Sequence, residues 1–309
     1  MAAFSLAADR RGTRGRARLA AWASLAVLVA GCGTTGAAPA PPAAAAARVA
    51  KVLTIVEENH GAASASRGMP YLHGLARTYG RATNYQSLTH PSLPNYLAMA
   101  GGSTFGVHDD ASPARHRLAG DSVFDVAIRS HRPAKVYAEA MTSRCQRSAA
   151  GSYAVKHNPW PYFSDPAARR RCASADLPSG SYRAGPLHRD AVRGTLPQVG
   201  LLVPDICHDA HDCSLATADA WLRRWVGVLM AGPDWRAGRL AIVVTFDEVG
   251  GGGGGPLLTA VVWPGLHHKV VTTRLDHLSW CRWMTDLVHA RPLRQAASAT
   301  SLGRAFGLT

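Results

Sequence analysis

Leu240-Ala-Ile-Val-Val-Thr-Phe246 is an unbroken run of apolar and β-branched residues, and Asp247-Glu248 follows it at once. Continuous rather than alternating hydrophobicity marks a strand buried on both faces, as in a parallel sheet covered by helices. Lys51-Val-Leu-Thr-Ile-Val-Glu57 reads the same way and also ends in polar residues, Glu58-Asn59-His60. Further strands are expected at Ala134–Tyr137, Gly200–Val203 and Leu258–Trp263. Helices are expected over Met69–Tyr79, Leu93–Ala100, Thr217–Met230 and Asp276–Ala290; the third carries Trp221, Leu222, Trp225 and Leu229 on one face. Strands alternating with helices imply an α/β fold, a mostly parallel sheet with helices on both faces. In such sheets, sites gather beyond the carboxyl ends of the strands, where the polar clusters of this chain fall.

The chain has 309 residues, 47% of them hydrophobic, enough for a large buried core. That apolar content excludes a disordered chain, and the lack of period excludes collagen and coiled coil. Lys plus Arg is 34 against 20 Asp plus Glu, a formal charge of +14, and nearly all of the cations are Arg. The Ala and Arg excess fits a GC-rich genome, and no nucleic-acid partner is expected. Part of the charge sits in the N-terminus, where Arg10, Arg11, Arg14, Arg16 and Arg18 precede an apolar run from Leu19 to Ala30. That run is too short to span a bilayer as a helix and reads as a signal peptide over residues 1–31. Val29-Ala30-Gly31-Cys32 resembles the bacterial lipobox, with Cys32 as the lipidated first residue. Residues 32–49 form an Ala/Pro-rich tether, and residues 50–309 form the domain. The expected location is the outer face of the cell membrane, held by a lipid anchor, or secreted; an ordinary secretory signal is the alternative.

Export allows disulfides. Cys207 and Cys213 are expected to close a small loop and Cys145 to pair with Cys172, leaving Cys281 as a buried thiol. A zinc site of Cys207, His208, His211 and Cys213 is the alternative. The stretch 142–198 has little periodicity and many Pro, Gly and Arg residues, and is expected as an insertion over the site.

Four polar clusters carry chemical potential. Glu57-Glu58-Asn59-His60 offers a carboxylate and an amide at a strand end, donors suited to a hard cation, although alone it reads equally as a solvated loop. Thr89-His90-Pro91-Ser92-Leu93-Pro94-Asn95-Tyr96 places a Ser at the start of a helix, beside free N–H groups and in a positive local field. A simple helix cap is the plainer reading of Ser92. Asp247-Glu248 puts two acids at the mouth of a buried strand, where a metal would offset their repulsion. The glycines Gly250–Gly255 that follow suit a mobile loop and are not a phosphate loop, since no Gly-Lys-Ser/Thr is present. The last cluster is diffuse: His157-Asn158-Pro159, then His208, His211 and Asp212.

Val56-Glu-Glu-Asn-His60, Leu88-Thr-His-Pro-Ser-Leu-Pro-Asn-Tyr96, Lys156-His-Asn-Pro159, Pro204–Leu222 with His211-Asp-Cys213, and Thr245-Phe-Asp-Glu248 occur in an order that resembles the bacterial phosphoesterase family. That family includes acid phosphatases and phospholipase C enzymes and belongs to the alkaline phosphatase superfamily. The resemblance covers roughly residues 50–309 and implies a three-layer α/β/α sandwich with metal-assisted phosphoryl transfer. It implies Ser92 as nucleophile and Asn95, His157 and His211 as phosphate contacts. It implies Glu58, Asn59, Asp247 and Glu248 as metal ligands, with His277 as a possible further one. The oxygen-rich set favours Mg, Mn or Ca over Zn. No full second metal site is matched, and Glu248 stands where some relatives carry Asp. Phosphomonoester hydrolysis through a phosphoseryl intermediate is the expected activity. A phospholipase C-like phosphodiesterase, a transferase on glycan or teichoic-type polymers, and a non-catalytic lipoprotein binding phosphate ligands or a cell-wall partner are the alternatives.

Overall fold

The computed structural model describes residues 48–252 and 254–308. The signal peptide, Cys32 and most of the tether therefore lie outside the described residues. In chain order the elements are β1 (Lys51–Glu57), α1 (Ala62–Gly68), α2 (Pro70–Thr78), β2 (Gly80–Gln86), α3 (Ser92–Gly101), α4 (Val123–Arg129), β3 (Ala134–Ala138), α5 (Pro166–Ala175), β4 (Asp176–Pro178), α6 (Pro186–Arg193), β5 (Val199–Val203), α7 (Leu215–Ala231), α8 (Pro233–Arg236), β6 (Leu240–Phe246), β7 (Leu257–Val262), β8 (Lys269–Val271), β9 (Leu275–Asp276), α9 (His277–Leu287) and α10 (Leu302–Phe306).

The strands form one sheet in the order β4-β3-β5-β1-β6-β7-β2-β8, with β9 also alongside β2. Only β7 runs against its neighbours, β6 and β2; every other pairing is parallel. Every residue of β6, β5 and β7 is buried, as their continuous apolar runs require. The helices fall into two packed groups, α1, α2, α6, α7 and α8 on one side and α3, α4, α5, α9 and α10 on the other. The expected α/β/α sandwich with a mostly parallel sheet is the observed one.

Three features aim the fold at one edge. β1 and β6 are in parallel register, with Glu57 opposite Phe246, so the acids after each strand emerge side by side. β5 runs parallel on the other flank of β1, and its trailing loop is tied to β1 by Glu58 N–H donating to Asp209 O at 2.8 Å. α3 closes with Gly102 at φ 70°, where a Cβ would lie 2.4 Å from Leu293 O, so only glycine ends the helix there. The segment 142–198 is woven into the sheet: it adds β4 at the edge beside β3, and its short 3-10 turn Val155–His157 carries His157. Disulfides Cys145–Cys172 and Cys207–Cys213 are both present and Cys281 is a buried thiol, as expected. The Cys207–Cys213 bridge removes the thiols that the alternative zinc site needed.

Candidate active site

Ser92 is the first residue of α3 and is 2% exposed. Its hydroxyl lies 3.3 Å from Glu58 Oε2 and 3.4 Å from Glu248 Oε1, within donating distance of either. One acid from each cluster, Glu58 and Glu248, thus flanks the hydroxyl, although they lie 34 and 156 residues from it in sequence.

Asp247 is anchored as its position demands. Its N–H donates to Glu57 O at 3.0 Å, and its Oδ1 accepts from the N–H groups of Asn59 (3.0 Å) and Glu248 (2.7 Å). Asn59 adopts φ 62°, a left-handed conformation that Asn tolerates, and this turns its N–H toward the carboxylate. Oδ2 of Asp247 is buried with no hydrogen bond. Burial first, then the neighbouring Glu58 and Glu248, push the Asp247 carboxyl well above its ordinary value. Glu248 is likewise raised, by burial, while its Oε2 sits 2.8 Å from His90 Nδ1.

His157 is 1% exposed and lies between two acids, Nε2 at 2.5 Å from Glu58 Oε1 and Nδ1 at 2.9 Å from Asp209 Oδ2. These are close ion pairs whose directions depart from hydrogen-bond alignment. Burial alone would lower the imidazole; Glu58 and Asp209 overcome it and raise His157 to about 10. Conversely, burial would raise Glu58, but His157 holds it down at about 2. Tyr96 stacks on the His157 ring at 5.2 Å. His157 was expected to face phosphate; here both its nitrogens lie against carboxylates, and these favour its charged form beside Glu58.

Two other expected contacts also have partners within the protein. Asn95 was expected to hold a phosphoryl oxygen, but its Oδ1 accepts from Leu88 and Thr89 N–H (3.1 and 3.2 Å) and its Nδ2 donates to Thr89 O (2.8 Å). It staples the loop that presents Ser92. His277, the possible further ligand, has Nε2 at 2.6 Å from Asp247 O and Nδ1 at 3.3 Å from the Tyr85 hydroxyl. A carbonyl only accepts, so Nε2 carries the proton and Nδ1 receives Tyr85 O–H. Burial lowers His277 to about 4, consistent with this neutral ring. His211 stands at the mouth, Nδ1 2.6 Å from Asp212 Oδ1 and Nε2 3.4 Å from Lys156 Nζ, with its ring 5.9 Å from that of His157.

The residues that sequence reasoning missed are the partners: Asp209 on His157, His90 on Glu248, and Asp110, which holds Lys156 Nζ at 3.1 Å. His90 and Lys156 lie inside quoted motifs, but their roles depend on contacts 158 and 46 residues away. Outside, a cleft of about 220 Å³ is lined by Ser87, Thr89, His90, Glu248 and Gly252. The glycine run begins as a tight turn, Gly250–Gly252, in which Gly250 N–H donates to Asn59 O at 2.9 Å. Among the described residues, the trios of His, Cys or acidic side chains close enough to share one ion are Glu139, Asp205 and His208, and Asp176 with the disulfide-bonded Cys145 and Cys172. Glu58 and Glu248 instead flank the hydroxyl.

With this geometry in place, comparison with known proteins is decisive. The model of the phosphoesterase family matches residues 63–252, a span holding Ser92, His157, His211, Asp247 and Glu248. The chain belongs to the phosphoesterase family. This phosphoesterase is 29% identical over 231 residues to the phosphatidylinositol-3-phosphatase of Mycobacterium tuberculosis, covering 72% of each chain. It is 30% identical over 186 residues to a phosphate-repressible acid phosphatase of Penicillium chrysogenum, covering 57% of this chain and 43% of that enzyme, so it spans less than half of the latter's length. Among solved structures it resembles an alkaline phosphatase superfamily protein of Vibrio parahaemolyticus, with TM-score 0.57, 8% identity, and coverage of 82% of this chain and 69% of that one. It also resembles the lipoteichoic acid synthase LtaP of Listeria monocytogenes, with TM-score 0.54, 8% identity, and coverage of 82% and 77%. These two likenesses establish the fold. Family membership makes the phosphoesterase a hydrolase of phosphate esters.

Proposed function

We propose that this phosphoesterase is an exported, cation-dependent phosphomonoesterase in which Ser92 is the nucleophile. The observation that carries the reading is the seat of Ser92: a buried hydroxyl at the start of a ten-residue helix, between the carboxylates of Glu58 and Glu248. The phosphatase names of the relatives favour monoesters. Two disulfides fit an oxidising compartment. Among the described residues no helix is long and apolar enough to cross a membrane.

A divalent cation fits the residues around Ser92. The unpartnered, buried Oδ2 of Asp247 and the mutual repulsion of Asp247, Glu58 and Glu248 are what a bound cation relieves. Glu58, Asn59, Asp247 and Glu248 would hold it, with Ser92 Oγ as a further donor, and an all-oxygen set suits Mg, Mn or Ca better than Zn. When bound, such an ion lowers the pKa of the hydroxyl and neutralises phosphoryl charge.

The chain's own groups supply the rest. Glu248 accepts the Ser92 proton as Oγ bonds to phosphorus and the ester P–O bond breaks. His211, with the Lys156 ammonium 3.4 Å away, protonates the departing alcohol. Water then attacks the phosphoserine, Ser92 recovers its proton, and inorganic phosphate leaves. His157 holds Glu58 anionic throughout.

Release of p-nitrophenol from mono- and bis-p-nitrophenyl phosphate across a divalent-cation panel tests this. The expected result is cation-dependent turnover of the monoester that falls by about 10⁴-fold or more in Ser92→Ala. Preference for the diester would make the protein a phosphodiesterase, and full turnover in Ser92→Ala would remove Ser92 from the mechanism.

A further inference from the structure

Asp110 makes two contacts that belong together. Its Oδ1 accepts the Leu93 N–H at 2.9 Å, and its Oδ2 takes Lys156 Nζ at 3.1 Å. Leu93 follows Ser92 directly, in the first helical turn, where backbone N–H groups have no partner inside the helix and attract anions. Pro91 precedes the helix and supplies no side-chain cap, so Asp110 reaches in from 17 residues downstream. Lys156, the other donor, stands 3.4 Å from His211, and the charges of Glu58, Asp110 and Asp247 favour its ammonium form. A carboxylate bridging a helix N–H and an ammonium beside a nucleophile has the charge and the donors of a bound phosphoryl group.

We propose that Asp110 is an internal stand-in for the substrate's phosphoryl group, holding the Leu93 N–H and the Lys156 ammonium that a phosphate ester on Ser92 must take over. The inference rests on Ser92 as the reacting centre. The residue is placed to yield. Its side chain is 31% exposed, and it sits in the stretch 103–122, which contains no helix or extended strand, so it can swing outward without disturbing the sheet. A phosphate dianion outcompetes a carboxylate for a helix N–H and an ammonium, but the competition weakens apparent affinity by the fraction of time that Asp110 occupies them. Asp110 would thus set how strongly the enzyme holds phosphate, both as substrate and as product, and so act as a specificity-determining residue rather than a catalytic one.

The opposite role is distinguishable by sign. Were Asp110 only a clamp that orients Lys156, removing its charge would weaken phosphate binding. The test measures KM for p-nitrophenyl phosphate and the competitive inhibition constant of inorganic phosphate for the full chain with its best cation. Wild type, Asp110→Asn, Asp110→Ala and Asp109→Asn are compared. Asn keeps an acceptor for Leu93 N–H, which guards the fold, and Asp109, paired with His116, controls for net charge. The proposal predicts that phosphate inhibits Asp110→Asn about tenfold more tightly, with KM lowered in step and Asp109→Asn little changed. Unchanged or weaker phosphate binding in both Asp110 variants, with the wild type active, overturns the stand-in and leaves the Ser92 reading intact. A wild type that neither hydrolyses the ester nor binds phosphate overturns the reading of the site and this proposal with it.

Discussion

Glu57 and Glu58 are neighbours in the chain and equally buried, yet they live in opposite electrostatic worlds. Side chains alternate along a strand, so the two leave β1 on opposite faces. Glu57 has no hydrogen bond on either oxygen. Burial first, then Asp209, Asp219 and Glu139, push it well above its ordinary value and favour its neutral form. Glu58 suffers the same desolvation but has His157 2.5 Å away, and stays ionised down to about 2. Burial does not decide which carboxylate is charged; a paired cation does. The charged one is beside Ser92.

The largest effect that would break this contrast is Glu58→Gln. It should lower kcat by about 10²–10³-fold. It should also destabilise the domain by about 3 kcal/mol or more, because His157 loses one of its two buried counter-charges. Urea unfolding beside the p-nitrophenyl assay checks both, and a variant as stable and active as wild type would mean that the pair is idle.

The pH dependence of stability sharpens the contrast. His157 is raised to about 10, so its contribution is fully present below its ordinary value of about 6.5 and is lost as pH rises from there through about 10. Glu58 is depressed, so its contribution is present above about 4.3 and is lost as pH falls toward about 2. The pair therefore stabilises most between about pH 4.3 and 6.5. Thermal scans across pH should show the alkaline decline in wild type and a flatter profile in His157→Gln; parallel profiles would contradict the pairing.

Glu57→Gln should have the smallest effect and the opposite sign. A carboxyl neutral when folded but ionised when unfolded lowers stability above its ordinary pKa. The amide should raise Tm at pH 7, leave it nearly unchanged at pH 3, and keep kcat within about twofold. A loss of activity like that of Glu58→Gln would place Glu57 in the reaction.

The sequence made some of this legible and hid the rest for physical reasons. β1 and β6 were readable because strands buried on both faces need continuous apolar runs, and the acids behind them stood out against those runs. Both disulfides followed from cysteine arithmetic and export. β2 was not readable: Gly-Arg-Ala-Thr-Asn-Tyr-Gln has no apolar run, and its partners β7, β8 and β9 lie far along the chain. α4 carried an unused signal, the Ser122–Asp125 capping box. Within the site, residue type pointed to Asn95, His157 and His277 as ligand contacts, but type does not reveal what already occupies a polar atom. Backbone groups, Glu58 and Asp209, and Asp247 O with Tyr85 fill those atoms, through contacts spanning up to 192 residues.

The central claim is that Ser92 is phosphorylated during turnover, and the most direct measurement is mass spectrometry of acid-quenched enzyme mixed with substrate and cation. A phosphoryl group on the peptide containing Ser92, appearing during turnover and missing from Ser92→Ala, is the predicted result. Turnover with no phosphorylated Ser92, continuing in Ser92→Ala, would contradict it.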